Sequence, residues 1–456
     1  MMKKQVLVAL CATTLGLGAC SLQVEDLNNP AQDAFEQTPT PSAIYAASTG
    51  LLIGNRAGIS AQTGYISQLG ILGRESFTLD PADPRYVSEM LKGPLDSGSP
   101  AFGGSNWANP YTNIRNTNTL LIALQNVNGM SDTEKEAIQG FAKTIQALDF
   151  LIIINTRETA PINVGGGIND PLGPIESREA VFDHIVQLLD EAKEHLKKGG
   201  DAFPFPLSNG YVDFDNPKID MTPANFIRVN RALLARVQVY RNHFSEALTA
   251  LQESFLDTTK PLTLGVYHSF GTGPGDLTNG LRNNKLYANK AIVTDADRKA
   301  DGTTIDDRVT RKTKPLDEAV VIFKDEAAGI TVTTDLAFAL YENQDTPVPV
   351  IRNEELILLR AEANIGLGAP ANITAAADDI NFIRTTSGGL APRTDLDSTN
   401  ILDELLKQKR YSLLFEGGHR WIDMRHYNRL DQLVPVLGVD VPEYFPIPKF
   451  ETDARL

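Results

Sequence analysis

Acids and guanidiniums crowd the last third of the chain: Arg352, Glu355, Glu362, Arg384, Glu416, Arg420, Asp423 and Arg425. Carboxylates set against guanidiniums can do general acid–base work, or they can dock one helix on another through forked hydrogen bonds. Spacing favours the second use. Arg352 and Glu355 stand one helical turn apart, where side chains meet. Glu362 follows seven residues after Glu355, on the same face, within reach of Arg384 from the next helix. These residues are expected to be packing struts, paired Arg352–Glu355 and Glu362–Arg384. Gly417-Gly418 is expected to end a helix, and Trp421, Ile422 and Met424 to cover core.

Other chemistry-bearing patterns are weak. The chain contains no His-Glu-x-x-His, Gly-x-Ser-x-Gly, phosphate loop or dinucleotide fingerprint. The run from Gly165 to Gly173 lacks the Lys and following helix of a phosphate cradle. His184 and His195 nearly share a helical face, but surface histidines account for them. Asp295, Asp297, Asp301 and Gly302 miss the EF-hand spacing, with Arg298 and Lys299 interrupting, so at most a loop calcium stays open there. The acid pairs Glu354-Glu355, Asp306-Asp307 and Asp378-Asp379 are adjacent in sequence. Adjacent helical residues diverge by about 100°, so they do not define a glycosidase pair. No catalytic residue, metal or cofactor is expected.

Two cysteines occur, Cys11 and Cys20. A cationic start, an apolar stretch from Val6 to Ala19 and small residues before Cys20 make a secretory signal over 1–19, too short to span a bilayer. Leu17-Gly18-Ala19-Cys20 resembles the bacterial lipobox, in which the cysteine becomes the lipidated first residue. The alternative is an ordinary signal that happens to contain a cysteine. Loss of Lys3 and Lys4 with the signal takes the formal charge from −15 to −17. Such a surface argues against nucleic acid or anionic headgroups as partners. No later segment reads as a membrane span, and a single remaining cysteine allows no internal disulfide.

The elements that must position these residues are mostly helical. Apolar residues recur three and four apart near 115–128, 133–155, 177–197, 223–241, 244–255, 352–367, 373–386 and 400–416. Ser177 and Thr222-Pro223 are cap signals for two of them. Strand-like segments are Glu318–Phe323 and Thr331–Thr334. Long Gly-, Pro- and Asn-rich loops cover 56–110, 160–175, 200–221 and 257–315. Small residues Ala232, Ala235, Ala361 and Ala363 sit where paired helices would approach, so 223–255 and 356–383 read as stacked helical hairpins of tetratricopeptide type. No composition break divides 20–456, which is expected to be one body, with an N-terminal part over about 20–220 and a C-terminal part over about 300–456.

Two C-terminal stretches, "VIRNEELILLRAEANIGLG" with "INFIRTTSGGL", and "LLKQKRYSLLFEGGHRWIDMRHYNRL" with "YFPIP", resemble the SusD/RagB family of outer-membrane nutrient-uptake lipoproteins. The matching positions are Arg352, Glu355, Glu362 between Ala361 and Ala363, Asn381, Arg384, Phe415-Glu416-Gly417, Arg420, Asp423, Arg425 and Pro446-Ile447-Pro448. Weaker matches are Trp107, Tyr111 and Asn118. The chain departs from the family at Gln408 to Leu413, at Gln146, at Thr159-Ala160, and by one extra residue, Gly418 or His419.

The resemblance implies a mostly α fold: tetratricopeptide-like hairpins in a right-handed superhelical scaffold, with long loop insertions and few short strands. It implies a lipoprotein anchored at Cys20 in the outer membrane and facing outward. Such a protein would bind an oligosaccharide or other nutrient for a SusC-like TonB-dependent barrel. Ligand contacts are then expected in the loops: Arg74, Glu75, Phe77, Asp83, Arg85, Tyr86, Phe102, Asn106, Arg282, Asn283, Asn284 and Tyr287. The rival readings are peptide capture of the RagB kind, a tethered glycoside hydrolase and a periplasm-facing helical scaffold.

Overall fold

Helix starts are written in local chemistry. In the computed structural model, which describes residues 32–98, 104–165, 171–274 and 276–456, Thr40, Ser177 and Thr222 each turn a hydroxyl onto a free backbone N–H of the first turn, at 3.3, 3.3 and 3.2 Å. Pro41 and Pro223 follow two of these caps. Ser131 and Glu134 close a reciprocal capping box. The caps begin α2 (Pro41–Arg56), α6 (Arg178–Leu196), α7 (Pro223–Tyr240) and α5 (Asp132–Thr156). The other N-terminal helices are α1 (Gln32–Gln37), α3 (Tyr65–Leu72) and α4 (Ser105–Asn126). Then come α8 (Phe244–Gln252), α9 (Ala291–Thr294), α10 (Asp307–Lys312), α11 (Asn353–Leu367), α12 (Pro370–Thr386), α13 (Ile401–Ser412), α14 (His419–His426) and α15 (Lys449–Asp453).

The long helices stack in chain order. α2 packs on α4, α4 on α5, α5 on α6, α6 on α7 and α7 on α8. Helix α8 then meets α11, which packs on α12 and α13. The two hairpins expected over 223–255 and 356–383 are thus α7/α8 and α11/α12, with Ala232, Ala235, Ala361 and Ala363 all buried. Leu367 is followed by Gly368 at φ 71°, a left-handed stop to α11. One apolar cluster runs from Ile44 to Phe445, and a second joins α11, α12 and α13 through Ile357, Ile380 and Leu405.

Helix α5 corrects one expectation. Its apolar stretch is long and hydrophobic enough for a bilayer (mean hydropathy 1.4), yet 89% of that window is buried against neighbouring helices. An all-round apolar helix in this stack serves as its central member. Phe141 on α5 also receives Phe203, Phe205 and Phe226 at 4.9–5.8 Å between ring centroids. Those contacts, each worth about 0.5–1.5 kcal/mol beyond area, pin the 200–221 segment to the stack.

The expected loops hold more structure than their composition suggests. Strands β1 (Ser76–Thr78), β2 (Thr159–Pro161), β3 (Ile175–Ser177), β4 (Gly265–His268), β5 (Leu286–Ala288), β6 (Thr313–Asp325), β7 (Ile330–Phe338) and β8 (Val348–Arg352) pair antiparallel throughout. The largest sheet has the order β1-β5-β7-β6. Both expected strands are therefore cores of longer ones that form a hairpin, closed by Gly329 at φ 66°. Helices α2 and α3 fall where no helix was expected.

Candidate functional site

Every described signature residue is engaged in packing. Arg352 Nε donates to Glu416 Oε2 at 2.8 Å, and Lys312 Nζ reaches Glu416 Oε1 at 2.7 Å. Arg236 holds both oxygens of Glu355 at 2.6 and 2.7 Å. Lys409 lies buried between Glu362 at 2.8 Å and Asp423 at 2.5 Å, and Tyr427 donates to Glu362 at 2.9 Å. Burial raises the Asp423 carboxyl to about 7 despite Lys409. Arg384 pairs with Asp297 at 2.8 Å and with Glu404. Asn381 pins the 390s loop through both the N–H and C=O of Arg393. Phe415 stacks flat on Phe338 at 4.0 Å. Arg425 caps the carbonyls of Asn155 and Glu443 while covering Trp421.

Two expected pairings do not form. Arg352 has extended backbone (φ −141°) and ends β8, so the helical three-residue rule does not apply to it. It turns to Glu354 and Glu416, leaving Glu355 to Arg236. Glu362 takes Lys409 from α13, while Arg384 near the end of α12 turns to Asp297 and Glu404. Gly418, at φ 72°, opens α14 and does not end a helix; a Cβ there would sit 2.4 Å from Leu69.

The loop residues expected to hold ligand scatter. Cys20 and Phe102 lie outside the described residues. Glu75, Tyr86 and Asn106 are buried; Asn106 donates to Gln68 at 2.9 Å, and burial lifts the Glu75 carboxyl to about 7. Asp83 and Arg85 pair with each other at 2.8 Å. Arg282 caps Glu342 O, Asn283 donates to Gln62, Asn284 is exposed and Tyr287 is half-buried in β5. Arg74 and Phe77 are brought together, on the wall of a groove.

That groove, about 500 Å³, is lined by Arg74, Phe77, Lys290, Asp295, Arg410, Arg420 and the loop 432–437. Arg74 sits in the left-handed region (φ 57°), and its Nε donates to Val434 O at 3.1 Å. Arg410 pairs with Asp295 at 2.8 Å. Arg420 donates from Nε to Gly73 O at 3.0 Å and pairs with no carboxylate among the described residues. Burial, then Arg410, pushes its pKa down to about 10.

A second cleft, of about 300 Å³, lies between α4, the segment after β2, and α15. Trp107, Tyr111 and Arg115 stand four apart on α4 and form one stripe along its wall. Tyr111 O–H donates to Pro161 O at 2.8 Å, and Trp107 Nε1 to Glu451 Oε2 at 3.3 Å. Burial raises the Tyr111 phenol. Arg455 is fixed by Glu451 and by Gly173 O. Phe450, 48% exposed, and Leu172, 51% exposed, face this space. Arg115 is exposed and makes no hydrogen bond or ion pair among the described residues. From the sequence, Trp107 and Tyr111 stand only as weak family matches, and Arg115 and Phe450 are not singled out. The spacing of four from Trp107 to Arg115 was the available signal.

The model for the SusD family matches residues 330–436. Solved structures similar over almost the whole chain include a SusD-like carbohydrate-binding protein from Bacteroides fragilis: 14% identity, 92% of this chain, 99% of that one, TM-score 0.67. A SusD superfamily protein from Parabacteroides distasonis is 17% identical over 91% and 97% of the two chains, with TM-score 0.67. A laminarin-binding SusD-like protein is 19% identical over 91% and 98%, with TM-score 0.57. Among curated proteins none matches. The stacked helical hairpins thus have the fold of the SusD-like proteins, and residues 330–436 match the SusD family model.

Proposed function

We propose that this chain captures an oligosaccharide in the cleft between α4 and α15 and delivers it to a SusC-like TonB-dependent barrel. In this reading it is held at the outer face of the outer membrane by lipid on Cys20. The observation that carries the binding reading is the cleft's make-up: an exposed ring, Phe450, beside the guanidinium of Arg115, which has no partner among the described residues. Sugar recognition needs an apolar face for C–H patches and planar polar groups for hydroxyls. The laminarin and carbohydrate binding of two structural neighbours supports it. Capture is favoured over hydrolysis because the described lining offers one carboxyl, Glu451, already held by Arg455 and Trp107. Glycosidases of the usual kind need two.

The test is calorimetry of the full chain against neutral oligosaccharides, laminarin fragments first, with product analysis of the same samples. Saturable binding with the sugar intact is expected, weakened about tenfold by Phe450→Ala, the equivalent of ~1.4 kcal/mol. Shortened sugars would establish the hydrolase reading instead. Binding of peptides alone would establish peptide capture.

A further inference from the structure

The basic groove has a property that the cleft lacks. It continues past Arg410 and Arg420 into a second hollow of about 560 Å³, which adds Lys407, Arg429 and Asp403 to its walls. Together the two hollows present six cations, Arg74, Lys290, Lys407, Arg410, Arg420 and Arg429, against two lining carboxylates, Asp295 and Asp403. This concentration stands in a chain whose formal charge is −15. Both carboxylates are already taken, Asp295 by Arg410 and Asp403 by Arg429, while Lys407 pairs with Asp297. Arg74, Lys290 and Arg420 pair with no carboxylate among the described residues; Lys290 donates to Thr333 Oγ1 at 3.3 Å and Arg74 to the carbonyls of Ile71 and Val434. Asp295 and buried Glu75 act on Arg420 at longer range, yet the six cations outnumber these acids, so the groove focuses a positive potential.

The groove also offers backbone. Four consecutive residues of β7, Ile330 to Thr333, line it. Alternate residues of a strand point to opposite faces, so a consecutive run must present the strand's edge. Its other edge is paired with β6, and β5 meets β7 only at Ala288–Leu336 among the described residues. Outward N–H and C=O groups along this edge, without a backbone partner among the described residues, suit hydroxyls, while planar guanidinium forks suit carboxylates.

We infer that this groove is a second saccharide site, selective for oligosaccharides that carry carboxylates, the oligouronate class. It lies apart from the Phe450 cleft in its lining residues, so the two readings fail separately.

The test is calorimetry of the full chain with hexagalacturonate, its fully methyl-esterified form and hexaglutamate. Lys290 is exposed, so Lys290→Glu reverses a charge without touching the core. Arg420→Met is the stronger variant, and circular dichroism reports whether it folds. Hexagalacturonate should bind, the ester at least about tenfold more weakly, and affinity should fall as salt rises. Lys290→Glu should weaken hexagalacturonate about fivefold or more, and Phe450→Ala should leave it unchanged. Equal affinity for acid and ester overturns the inference, as does indifference to Lys290→Glu. Loss of hexagalacturonate binding in Phe450→Ala would place the anion in the cleft and overturn it too. Binding of hexaglutamate without hexagalacturonate would make the groove a strand-edge site for acidic peptide.

Discussion

Asp149 lies at the centre of α5, fully buried, and accepts from Asn55 Nδ2 and Asn113 Nδ2, each at 2.7 Å. No cation faces it. Burial, only partly offset by the two amides, lifts its pKa from 3.8 to about 8. Between those values the folded chain keeps a proton that the unfolded chain has lost, so this residue makes stability fall as pH rises from about 4 to about 8. Each pH unit in that window costs about 1.4 kcal/mol, so the full span is on the order of 5 kcal/mol at most. The Oδ1 atoms of Asn55 and Asn113 have no hydrogen-bond partner. Turning either amide over would let its oxygen accept a hydrogen bond from protonated Asp149, the state the folded chain prefers. Asp149→Asn supplies that donor permanently and removes the titration. Urea denaturation of wild type and variant at pH 5, 6, 7 and 8 should give a stability difference that grows in the variant's favour by about 1 kcal/mol per pH unit. A difference independent of pH would show that Asp149 is ionised in the fold, and the reasoning would be refuted.

Two further outcomes follow from the struts. Lys409→Met leaves Glu362 and Asp423 facing each other in a buried site, which should cost about 3–5 kcal/mol in denaturant titration; a loss below about 1 kcal/mol would remove Lys409 from the strut network. Gly418→Ala places a Cβ 2.4 Å from Leu69 at a φ of 72°, so the melting temperature should drop, with a penalty of at least ~1–3 kcal/mol. An unchanged melt would mean that the α14 start is free to move.

The sequence alone determined the long helices from α4 to α8 and from α11 to α13, though not α2 or α3. Residues such as Ser177, Thr222-Pro223 and Gly368 act on backbone groups a few positions away, so their meaning does not wait for the rest of the chain. The hairpin pairs were legible for the same reason, since Ala232 and Ala361 mark close approach whatever neighbour arrives. Helical spacing also marked Arg and Glu as natural partners for one another. What it left open was which partner each charge takes. Arg352 ends a strand, and Lys409 arrives from α13, so only the stacked helices decide that Glu362 meets a lysine. The loops were the least legible part. Glu75 and Tyr86 have the polar atoms of a binding site, and tertiary packing buried them. Phe450 and Arg115 are more than three hundred residues apart in sequence, and only the return of the C-terminal segment across α4 makes one cleft of them. A binding surface is a long-range juxtaposition, whereas a helix cap is a local one.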